Sequence, residues 1–406
     1  MTTTINNEHN KLNVPNLRFP EFQGEWERCK LGDITNITGG YAFKSDTLNS
    51  IGGKYQVVKM GNLYQNQLDL HRSPSYTDIL TSKAENVILR KGDIAITLTG
   101  TNNKRDFGYT YIFNDEKNLL LNQRCGLIRT TGNPYFLSCL LKTYAFLNQF
   151  FESATGGTGN QANVSTKAME MFSVNIPSLK EQKKIGELMA LLDERIATQN
   201  KIIDKLQTLI RGISNKLLNT DYGKKTRLGD ILNECSERTK VNNQYEVLSS
   251  TVNGLFSQRE YFTKDIASEN NIGYKILRLH DVVLSPQNLW MGNINYNDKF
   301  EIGIVSPSYK IFSIVDGYDK KYVSALLKTH RALYNYSLVS EQGASVVRRN
   351  LNSEAFEQLT FIIPPIANQR AIGYTISLLR YRLEIENMLK VTYLSQKQYL
   401  LRQMFI

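Results

Sequence analysis

Ile176-Pro177-Ser178-Leu179-Lys180-Glu181-Gln182-Lys183-Lys184-Ile185-Gly186 is the stretch that decides the fold, because it occurs twice in the chain. The second occurrence reads Ile363-Pro364-Pro365-Ile366-Ala367-Asn368-Gln369-Arg370-Ala371-Ile372-Gly373. The Ile-Pro pair, the glutamine and the closing Ile-Gly pair keep the same spacing in both. A period of roughly 190 residues indicates a duplicated domain, because solenoid repeats have units of roughly 20 to 50 residues.

Three further segments recur in the same order. They are Leu31-Gly32-Asp33-Ile34 with Leu228-Gly229-Asp230-Ile231, Gly92-Asp93-Ile94-Ala95-Ile96 with His280-Asp281-Val282-Val283-Leu284, and Leu140-Leu141-Lys142-Thr143 with Leu326-Leu327-Lys328-Thr329. Two copies of one module are therefore predicted, each a globular part followed by a helix. Pseudo-two-fold symmetry between the copies is the natural expectation.

The globular parts have the pattern of an α+β domain. Short β-rich runs such as 55–60, 93–98 and 281–285 are bounded by Gly, Asn and Asp turns, which predicts strands. The stretch 134–151 places apolar residues at helical spacing, so one of its faces should pack on the sheet. Those apolar residues are Phe136, Leu140, Leu141, Tyr144 and Leu147.

A heptad pattern follows the first globular part. Apolar residues alternate by four and three, Gln199 alone interrupts them, and no proline occurs between Leu179 and Thr220, so a coiled-coil helix is predicted. Its roughly 40 residues would extend about 60 Å. The heptad seam consists of Ile185, Met189, Leu192, Ile196, Ile203, Leu206, Ile210, Ile213 and Leu217.

The second copy repeats this pattern more weakly. Ile372, Ile376, Leu379 and Leu383 keep the register, and Tyr393, Leu400 and Met404 continue it, whereas Glu386, Lys390 and Lys397 place charges at seam positions. We expect the two helices to pair as an antiparallel coiled coil, with each helix packed on its own domain as the alternative. The residues predicted to make the pairing are Ile185, Met189, Leu192, Ile196, Ile203, Leu206, Ile210, Ile376, Leu379 and Leu383. The predicted organisation is a globular domain at 1–175, a helix at 176–220, a second globular domain at 221–362 and a helix at 363–406.

Bulk properties narrow the class of protein. The 406 residues are 41% hydrophobic and 21% charged, which is typical of globular chains, and the net charge of +11 attracts polyanions such as nucleic acid or an acidic membrane surface. The four cysteines lack CxxC spacing and accompanying histidines, which favours buried free thiols over zinc ligands or disulfides. No signal peptide and no run of 18 apolar residues is present, so a soluble, cytoplasmic protein is expected.

Motifs of catalysis are missing from the chain. Asn133-Pro134-Tyr135-Phe136 approaches the tetrad of amine methyltransferases but lacks the second proline and a preceding Gly-x-Gly, so a proline at a helix start is the better interpretation. There is no P-loop, and the histidines and carboxylates form no pattern for metal binding or acid-base chemistry. We therefore predict no catalytic residue and no metal site.

Several polar, basic or glycine-rich loops are candidates for contacts to DNA, since Asn, Gln and Arg carry donors that read base edges and glycines admit a close phosphate backbone. Each loop taken alone is equally an ordinary surface turn. The run 154–163 in the first copy is glycine-rich, whereas its counterpart at 341–350 is basic, which suggests two half-targets of different sequence. The candidate residues are Thr101, Asn102, Asn103, Lys104, Arg105, Asn122, Gln123, Arg124, Gly157, Thr158, Asn160, Gln161, Gln287, Asn288, Trp290, Ser345, Arg348, Arg349 and Asn350.

Over nearly its whole length the chain resembles the specificity subunit of Type I restriction-modification systems. The resemblance lies in Pro15-Asn16-Leu17-Arg18-Phe19-Pro20-Glu21-Phe22, Glu25-Trp26-Glu27, Leu31-Gly32-Asp33-Ile34, Asn122-Gln123, and Ile176-Pro177 followed by Glu181-Gln182-Lys183-Lys184-Ile185. One departure is Ala367-Asn368-Gln369 in the second copy, where the first has Lys180-Glu181-Gln182, and this puts the acidic contact in doubt there.

The resemblance implies two target-recognition domains that each read half of a bipartite DNA sequence, with the two helices as a spacer. It also implies two methyltransferase (modification) subunits and restriction subunits as partners. S-adenosylmethionine, ATP and magnesium would then belong to those partners and not to this chain. An autonomous fused restriction endonuclease/methyltransferase and a coiled-coil interaction protein without a DNA role are the rival hypotheses.

Overall fold

The computed structural model describes residues 13–101, 104–156, 161–261, 270–342 and 348–406. The chain divides into two compact units, which we call unit 1 (residues 1–199 and 389–406) and unit 2 (residues 200–388). Unit 1 therefore contains the start of the first long helix and the end of the second, and unit 2 contains the converse. Such a reciprocal composition is expected from a pseudo-two-fold duplication, and the predicted α+β class is confirmed.

The first copy of the module provides twelve strands and six helices among the described residues. The strands are β1 (Glu27–Lys30), β2 (Thr35–Gly39), β3 (Tyr55–Val58), β4 (Tyr76–Thr77), β5 (Ile94–Thr97), β6 (Thr99–Thr101), β7 (Thr110–Ile112), β8 (Leu119–Leu121), β9 (Cys125–Thr130), β10 (Thr155–Gly156), β11 (Gln161–Asn163) and β12 (Ser173–Ile176). The helices are α1 (Leu31–Ile34), α2 (Ser82–Glu85), α3 (Pro134–Leu140), α4 (Tyr144–Glu152), α5 (Thr166–Glu170) and the long helix α6 (Leu179–Leu218).

The second copy contributes the following elements within the described ranges. Its strands are β13 (Lys224–Arg227), β14 (Leu232–Cys235), β15 (Leu248–Thr251), β16 (Gly254–Ser257), β17 (Lys275–Arg278), β18 (Val282–Leu284), β19 (Ile294–Tyr296), β20 (Ile302–Val305), β21 (Lys310–Ile314), β22 (Ser340–Gln342), β23 (Arg349–Leu351) and β24 (Thr360–Ile363). Its helices are α7 (Gln258–Tyr261), α8 (Lys320–Leu326), α9 (His330–Leu338), α10 (Ser353–Glu357) and the long helix α11 (Ile366–Gln403).

Sheet topology confirms the duplication. Unit 1 has a four-stranded sheet of order β2-β9-β5-β7, and unit 2 has β14-β21-β18-β19, which is the same order of equivalent strands. A two-stranded ladder closes each module: β1 pairs with β12, and β13 pairs with β24. In both ladders the strand that leads into the long helix is antiparallel to the strand that opens the module, so the two ends of each globular part meet at the base of its helix.

The stretch 134–151 forms two helices, α3 and α4, and the prediction of one continuous helical face is wrong. Thr143 takes an extended conformation, and its hydroxyl accepts a hydrogen bond from Phe146 N at 3.3 Å, so a new helix is capped there. The break turns the side chain of Tyr144 outward, and it is 79% exposed. Phe136 and Leu140 are buried in the core as predicted.

The repeated glutamine makes the same two hydrogen bonds in each copy. In unit 1, Gln182 Nε2 donates to Pro177 O at 2.9 Å, and its Oε1 accepts from Asn133 N at 3.1 Å. In unit 2, Gln369 Nε2 donates to Pro364 O at 2.9 Å, and its Oε1 accepts from Asp319 N at 3.0 Å. Because both amides are buried, these bonds fix the start of each long helix to the first turn of α3 or α8.

The repeated glycine allows a close approach between the same elements. A Cβ on Gly186 would clash with Asn133 Oδ1, and a Cβ on Gly373 would lie 2.5 Å from both Asp319 Oδ1 and Tyr322 N. Asn133 and Asp319 are the N-caps of α3 and α8, so their oxygens are already held by backbone N–H groups. The long helix can therefore lie against these caps only if it has no side chain there.

Glu181, which the second copy replaces by Asn368, has a partner that unit 2 lacks. Arg18 Nε and a second guanidinium nitrogen each lie 2.7 Å from the carboxylate of Glu181, and Trp26 Nε1 donates to it at 3.3 Å. Glu181 is 1% exposed because the segment 13–26 covers it. This segment precedes only the first module, which explains why the acidic residue occurs only in the first copy.

The two long helices are antiparallel in unit 1, because the end of α11 lies beside the start of α6. Leu17 N donates to Gln403 O at 2.8 Å, and the Phe405 ring packs on Trp26 and Phe136. Lys397 of α11, a charge at a seam position, forms an ion pair with Asp193 of α6. An acidic partner therefore compensates the seam lysine.

The corresponding arrangement in unit 2 places the end of α6 beside the start of α11. Leu218 is 3% exposed and belongs to the same core cluster as Ile376 and Tyr322. Ile185 and Met189 occupy the equivalent core cluster of unit 1. Within each unit the predicted antiparallel pairing of the two helices is confirmed, and the first turns of each long helix also pack on their own globular domain.

Seam residues farther along the helices are buried to different degrees. Leu192 and Ile203 are each 6% exposed, whereas Ile196, Leu206, Ile210, Leu379 and Leu383 are half-buried. The polar seam residues Gln199 and Glu386 are each 4% exposed, and Arg382 forms an ion pair with Glu386.

All four cysteines are free thiols, but only Cys125 and Cys139 are buried; Cys29 and Cys235 are partly exposed.

A lysine follows α8 at the position where Lys142 follows α3. Lys328 Nζ donates to Gly292 O at 2.9 Å. Burial, together with the nearby Arg380 guanidinium, lowers the pKa of Lys328 from 10.5 to about 8. The charged amine therefore destabilises the folded state at neutral pH.

Replacing Gly186 or Gly373 by Ala should lower the free energy of unfolding by about 1 to 3 kcal/mol, because the added methyl group overlaps the N-cap atoms of α3 or α8. Urea denaturation measures the change. Gly212→Ala is the matched control in α6: no atom lies within 4 Å of the added Cβ, so it should raise the free energy of unfolding by about 1 kcal/mol. Equal effects at buried and open glycines would contradict the close-approach explanation.

Lys328→Met should raise the free energy of unfolding at pH 7 by about 1 to 3 kcal/mol, since it removes a buried charge at the loss of one hydrogen bond. The folded-state pKa of about 8 lies below the ordinary 10.5, so the penalty is full below pH 8 and disappears as pH rises to 10.5. The advantage of the variant should shrink across that window. Denaturation at several pH values measures it, with the exposed Lys205→Met as control; a constant difference from pH 7 to 10.5 would contradict the prediction.

Candidate nucleic-acid interface

The candidate residues of the first module meet around strand β6. Gln161 of β11 lies opposite Thr101 of β6 in an antiparallel pair. Thr101 N donates to Asp106 Oδ1 at 2.6 Å, and Arg105 N donates to Thr101 O at 3.1 Å, so Arg105 and Asp106 are held beside the end of β6. The Lys104 and Arg105 side chains are exposed, and the Arg105 guanidinium lies 5.1 Å from the centre of the Phe151 ring. The cationic side chains of Lys104 and Arg105 and the polar side chains of Thr101 and Gln161 thus lie at one edge of the module, beside β6.

The turn 122–124 lies on the other side of the same edge. Leu98, the residue between β5 and β6, donates its N–H to Arg124 O at 3.0 Å and accepts from Val164 N at 2.9 Å. Gln123 and Arg124 are exposed, whereas Asn122 is half-buried. Gln123 and Arg124 are therefore brought beside the β6 loop, as a shared interface requires.

A neighbouring loop contributes residues that the sequence did not single out. The Tyr64 ring lies 5.4 Å from the Tyr109 ring and 5.4 Å from the Arg72 guanidinium, and it is 47% exposed. Gln65 and Asn66 have φ values of 53° and 60°, which is a strained backbone for two successive residues. Tyr109 hydrogen-bonds to Thr97 of β5, so this loop adjoins the same edge. The interleaving of Asn, Gln and Tyr in 62–67 was the available signal.

The candidate residues of the second module meet at the equivalent place. Arg349 N donates to Gln287 O at 3.1 Å, which joins β23 to the loop after β18 much as β11 is joined to β6. The Arg349 guanidinium stacks 4.2 Å from the centre of the Trp290 ring. Gln287, Arg348 and Asn350 are exposed. Here too, basic and amide side chains share one edge of the module.

This second loop is held from behind by the scaffold and retains unused polar groups. Gly292, which ends the turn that carries Trp290, accepts the hydrogen bond from Lys328 described above. Asn288 Oδ1 and Arg349 Nε are buried and have no hydrogen-bond partner among the described residues. Buried polar atoms of this kind are costly, so they mark a loop whose hydrogen-bonding capacity is not used within the chain.

Six predicted contact residues fall on positions outside the described residues. They are Asn102, Asn103, Gly157, Thr158, Asn160 and Ser345. The others remain predictions as DNA contacts, although the structure shows that they converge on one edge within each module.

The remaining sequence motifs take structural roles. Asn133 is the N-cap of α3 and accepts from Phe136 N at 2.9 Å, with Pro134 at the first helical position, so the proline-at-helix-start interpretation is confirmed. In the part of the chain that the structure describes, no group of three or more His, Cys, Asp or Glu side chains is arranged to hold a metal ion. None of the described helices combines the length and apolar character needed to cross a membrane.

The model of one protein family, the Type I restriction modification DNA specificity domain, matches residues 23–208. The EcoAI specificity subunit of Escherichia coli is 29% identical over 180 residues, which cover 44% of this chain and 29% of the relative. The putative MjaX specificity subunit of Methanocaldococcus jannaschii is 24% identical over 228 residues, which cover 54% of this chain and 52% of the relative. The chain thus spans about half or less of the length of these curated relatives.

Solved structures share the fold over almost the whole chain. The S subunit of a Type I restriction-modification system from M. genitalium superimposes with a TM-score of 0.61 at 14% identity and covers 97% of this chain and 99% of its own. A chain from a study of complex assembly in the type I R-M system has a TM-score of 0.52 at 13% identity and covers 93% and 96%. Over the regions matched, the chain is therefore similar in sequence to Type I restriction-modification specificity subunits, and it shares its duplicated fold with a solved S subunit.

Proposed function

We propose that this chain is the sequence-specific DNA-binding subunit of a Type I restriction-modification complex. Each of its target-recognition domains reads one half of a bipartite target, and the chain directs adenine methylation or DNA restriction by partner subunits. The observation that carries this proposal is the convergence of basic and amide side chains on the same edge of two equivalent scaffolds. The named relatives favour this function over an autonomous fused restriction endonuclease/methyltransferase.

Lysine and arginine side chains at the two edges neutralise DNA phosphates, and the amides and arginines read base edges in the major groove. The two edges differ in chemistry. The first presents Lys104, Arg105 and Gln161, and the second presents Arg348, Arg349 and Gln287 beside an indole ring. Two different half-targets follow from two different edges.

The long helices α6, of 40 residues, and α11, of 38 residues, act as the spacer that sets the number of unread base pairs between the half-targets. A helix suits this role because it rises by a constant 1.5 Å per residue. The buried bonds of Gln182 and Gln369 transmit the helix direction to each domain.

Catalysis belongs to the partners in this proposal. Two modification subunits carry S-adenosylmethionine, and restriction subunits carry ATP and magnesium, while this chain binds no cofactor of its own. A cytoplasmic location gives the complex access to DNA. The resemblance to a chain from a study of Type I complex assembly supports the existence of such partners.

An apolar stripe on α11 in unit 2 is the proposed contact for a modification subunit. Tyr374, Leu378, Tyr381 and Met388 follow one another at helical spacing and are 58%, 48%, 61% and 60% exposed. Contiguous exposed apolar surface of this kind marks protein contacts, because water hydrates it at a free-energy cost. A partner helix with its own apolar stripe is the occupant that fits a helical surface.

Replacing both Arg348 and Arg349 by Ala should weaken recognition of one half-target only, by at least about tenfold, since a good base contact contributes about 1 to 3 kcal/mol. Sequencing the methylated adenines of cells that carry the complete system measures which half of the motif relaxes. Lys104→Ala with Arg105→Ala, which removes the same charge from the first domain, should relax the other half. If the two double variants alter the same half, or neither alters any, the assignment is refuted.

Introducing Leu378→Glu with Tyr381→Glu should prevent co-purification with the modification subunit and leave salt-dependent DNA binding by the chain unchanged, because charges would replace apolar contacts on the stripe. Ile51→Glu, at a position that is 97% exposed and off the helices, is the control and should assemble normally. Normal assembly of the double variant would exclude the stripe as the contact.

A further inference from the structure

A cavity of about 350 Å³ in unit 2 has a cationic lining that the DNA-reading role does not use. We call it the cationic pocket and define it by His280, Tyr296, Lys320, Lys321 and Arg370. Its volume lies in the range of small-ligand sites, which start at about 300 Å³.

The cationic pocket and the DNA-reading loop are at opposite ends of strand β18. His280 lies two residues before β18 begins, and Gln287 follows the strand after it ends. Tyr296, at the end of β19, pairs with Val282 at the first of these ends. The pocket is therefore a separate site from the loop that presents Gln287.

The three flexible cations of the pocket form no ion pair with any described carboxylate. Lys320, Lys321 and Arg370 are all exposed to the cavity and solvent. The acidic residue in the lining, Asp319, is engaged as the N-cap of α8, where its Oδ1 accepts from Tyr322 N at 2.8 Å. The lining thus carries an excess of positive charge at one concave place, which attracts an anion.

His280 holds a backbone conformation that costs free energy. Its φ is +76°, in the left-handed region that side chains disfavour, and its N–H donates to Asn297 O at 2.7 Å. Its Nδ1 lies 2.6 Å from Tyr296 OH, and burial raises the pKa of Tyr296 to about 12. This hydrogen bond occupies Nδ1, so Nε2 is the ring nitrogen that remains for a ligand in the pocket.

The first copy builds the same turn without these groups. Gly92 has φ +86° and donates to Phe113 O at 2.8 Å, so it is the counterpart of His280. Lys320 and Lys321 open α8 where Pro134 and Tyr135 open α3, and Tyr296 ends β19 where Ile112 ends β7. The scaffold does not need a histidine, two lysines or a phenol here. Unit 2 keeps a strained histidine where glycine suffices, which points to a function of the side chain.

We propose that the cationic pocket binds a phosphate group. Two ammonium groups and one guanidinium supply donors and charge beside the imidazole ring, and the guanidinium fork matches two phosphate oxygens. The phosphate comes either from a free nucleotide, whose base would stack on the His280 and Tyr296 rings, or from duplex DNA. These rings are already parallel to within 16°. The pocket is independent of base reading, so its failure would leave the proposed function untouched.

Titration of the full chain with inorganic pyrophosphate at low salt, followed by calorimetry, tests the site. Lys320→Gln with Arg370→Gln should weaken binding at least about tenfold, because each charge-assisted hydrogen bond contributes about 1.5 to 3 kcal/mol. Lys180→Gln with Lys183→Gln, which removes the same charge at the start of α6, is the matched control and should bind as wild type. Absence of binding by the wild type, or equal binding by both double variants, would overturn the proposal.

His280→Gly separates function from folding. It should weaken pyrophosphate binding and at the same time raise the melting temperature by a few degrees, since glycine accepts the left-handed conformation. A lowered melting temperature with unchanged affinity would show a structural role and contradict the proposal.

Repeating the titration with ATP and with duplex DNA lacking the target identifies the source of the phosphate group. If the Lys320→Gln, Arg370→Gln double variant loses affinity for ATP only, the phosphate comes from a nucleotide. If its DNA binding depends less on salt than that of the wild type, the phosphate comes from the DNA backbone.

Discussion

Two hydrogen bonds from one buried glutamine hold each long helix to its globular domain, and the rest of the structure depends on them. Gln182 and Gln369 each join a proline carbonyl, just before the helix, to the N–H of the residue that caps α3 or α8. A buried amide that loses either bond pays the full cost of desolvation, so the helix cannot rotate about its axis without breaking both. Gly186 and Gly373 complete the joint, because they allow helix and cap to touch. Each helix therefore leaves its domain in a fixed direction.

The two copies differ in sequence at positions that take no part in the contact between the long helix and the cap of α3 or α8. The face of α6 that carries Glu181 is covered by the segment 13–26, whereas Asn368 on α11 is exposed, so a buried carboxylate is tolerated only beside Arg18. At the far edge, the strand pairing of β6 with β11 is backbone chemistry and leaves side chains free to change. The scaffold thus separates what must stay constant from what can be exchanged, as the proposed recognition of two different half-targets requires.

The sequence predicted those structural features that repeated segments or short-period patterns of apolar residues encode. Strands, both long helices and the duplication followed from alternation, heptads and self-similarity, whereas the convergence of the candidate loops on one edge of each module is visible only in the fold. The Arg18–Glu181 pair could not be predicted, because its partners lie 163 residues apart and no period links them. The capping of α4 by Thr143 depends on one local hydroxyl, and apolar spacing does not reveal it. The cationic pocket gathers residues from four distant segments, so only the folded chain brings their charges together.

Polar residues in the heptad seam have a physical role if the two helices act as a spacer of fixed length. A purely apolar seam binds tightly, but it also tolerates a shift by one heptad, and such a shift would change any distance that the helices set. Gln199 on α6 and Glu386 on α11 occupy equivalent seam positions and are each only 4% exposed, and the seam lysine Lys397 is paired with Asp193. A partly buried charge is costly without its partner, and a shift by one heptad would separate Lys397 from Asp193. In unit 1 this ion pair therefore favours a single register of the two helices over a purely apolar contact, and the proposed spacer of defined length requires such a register.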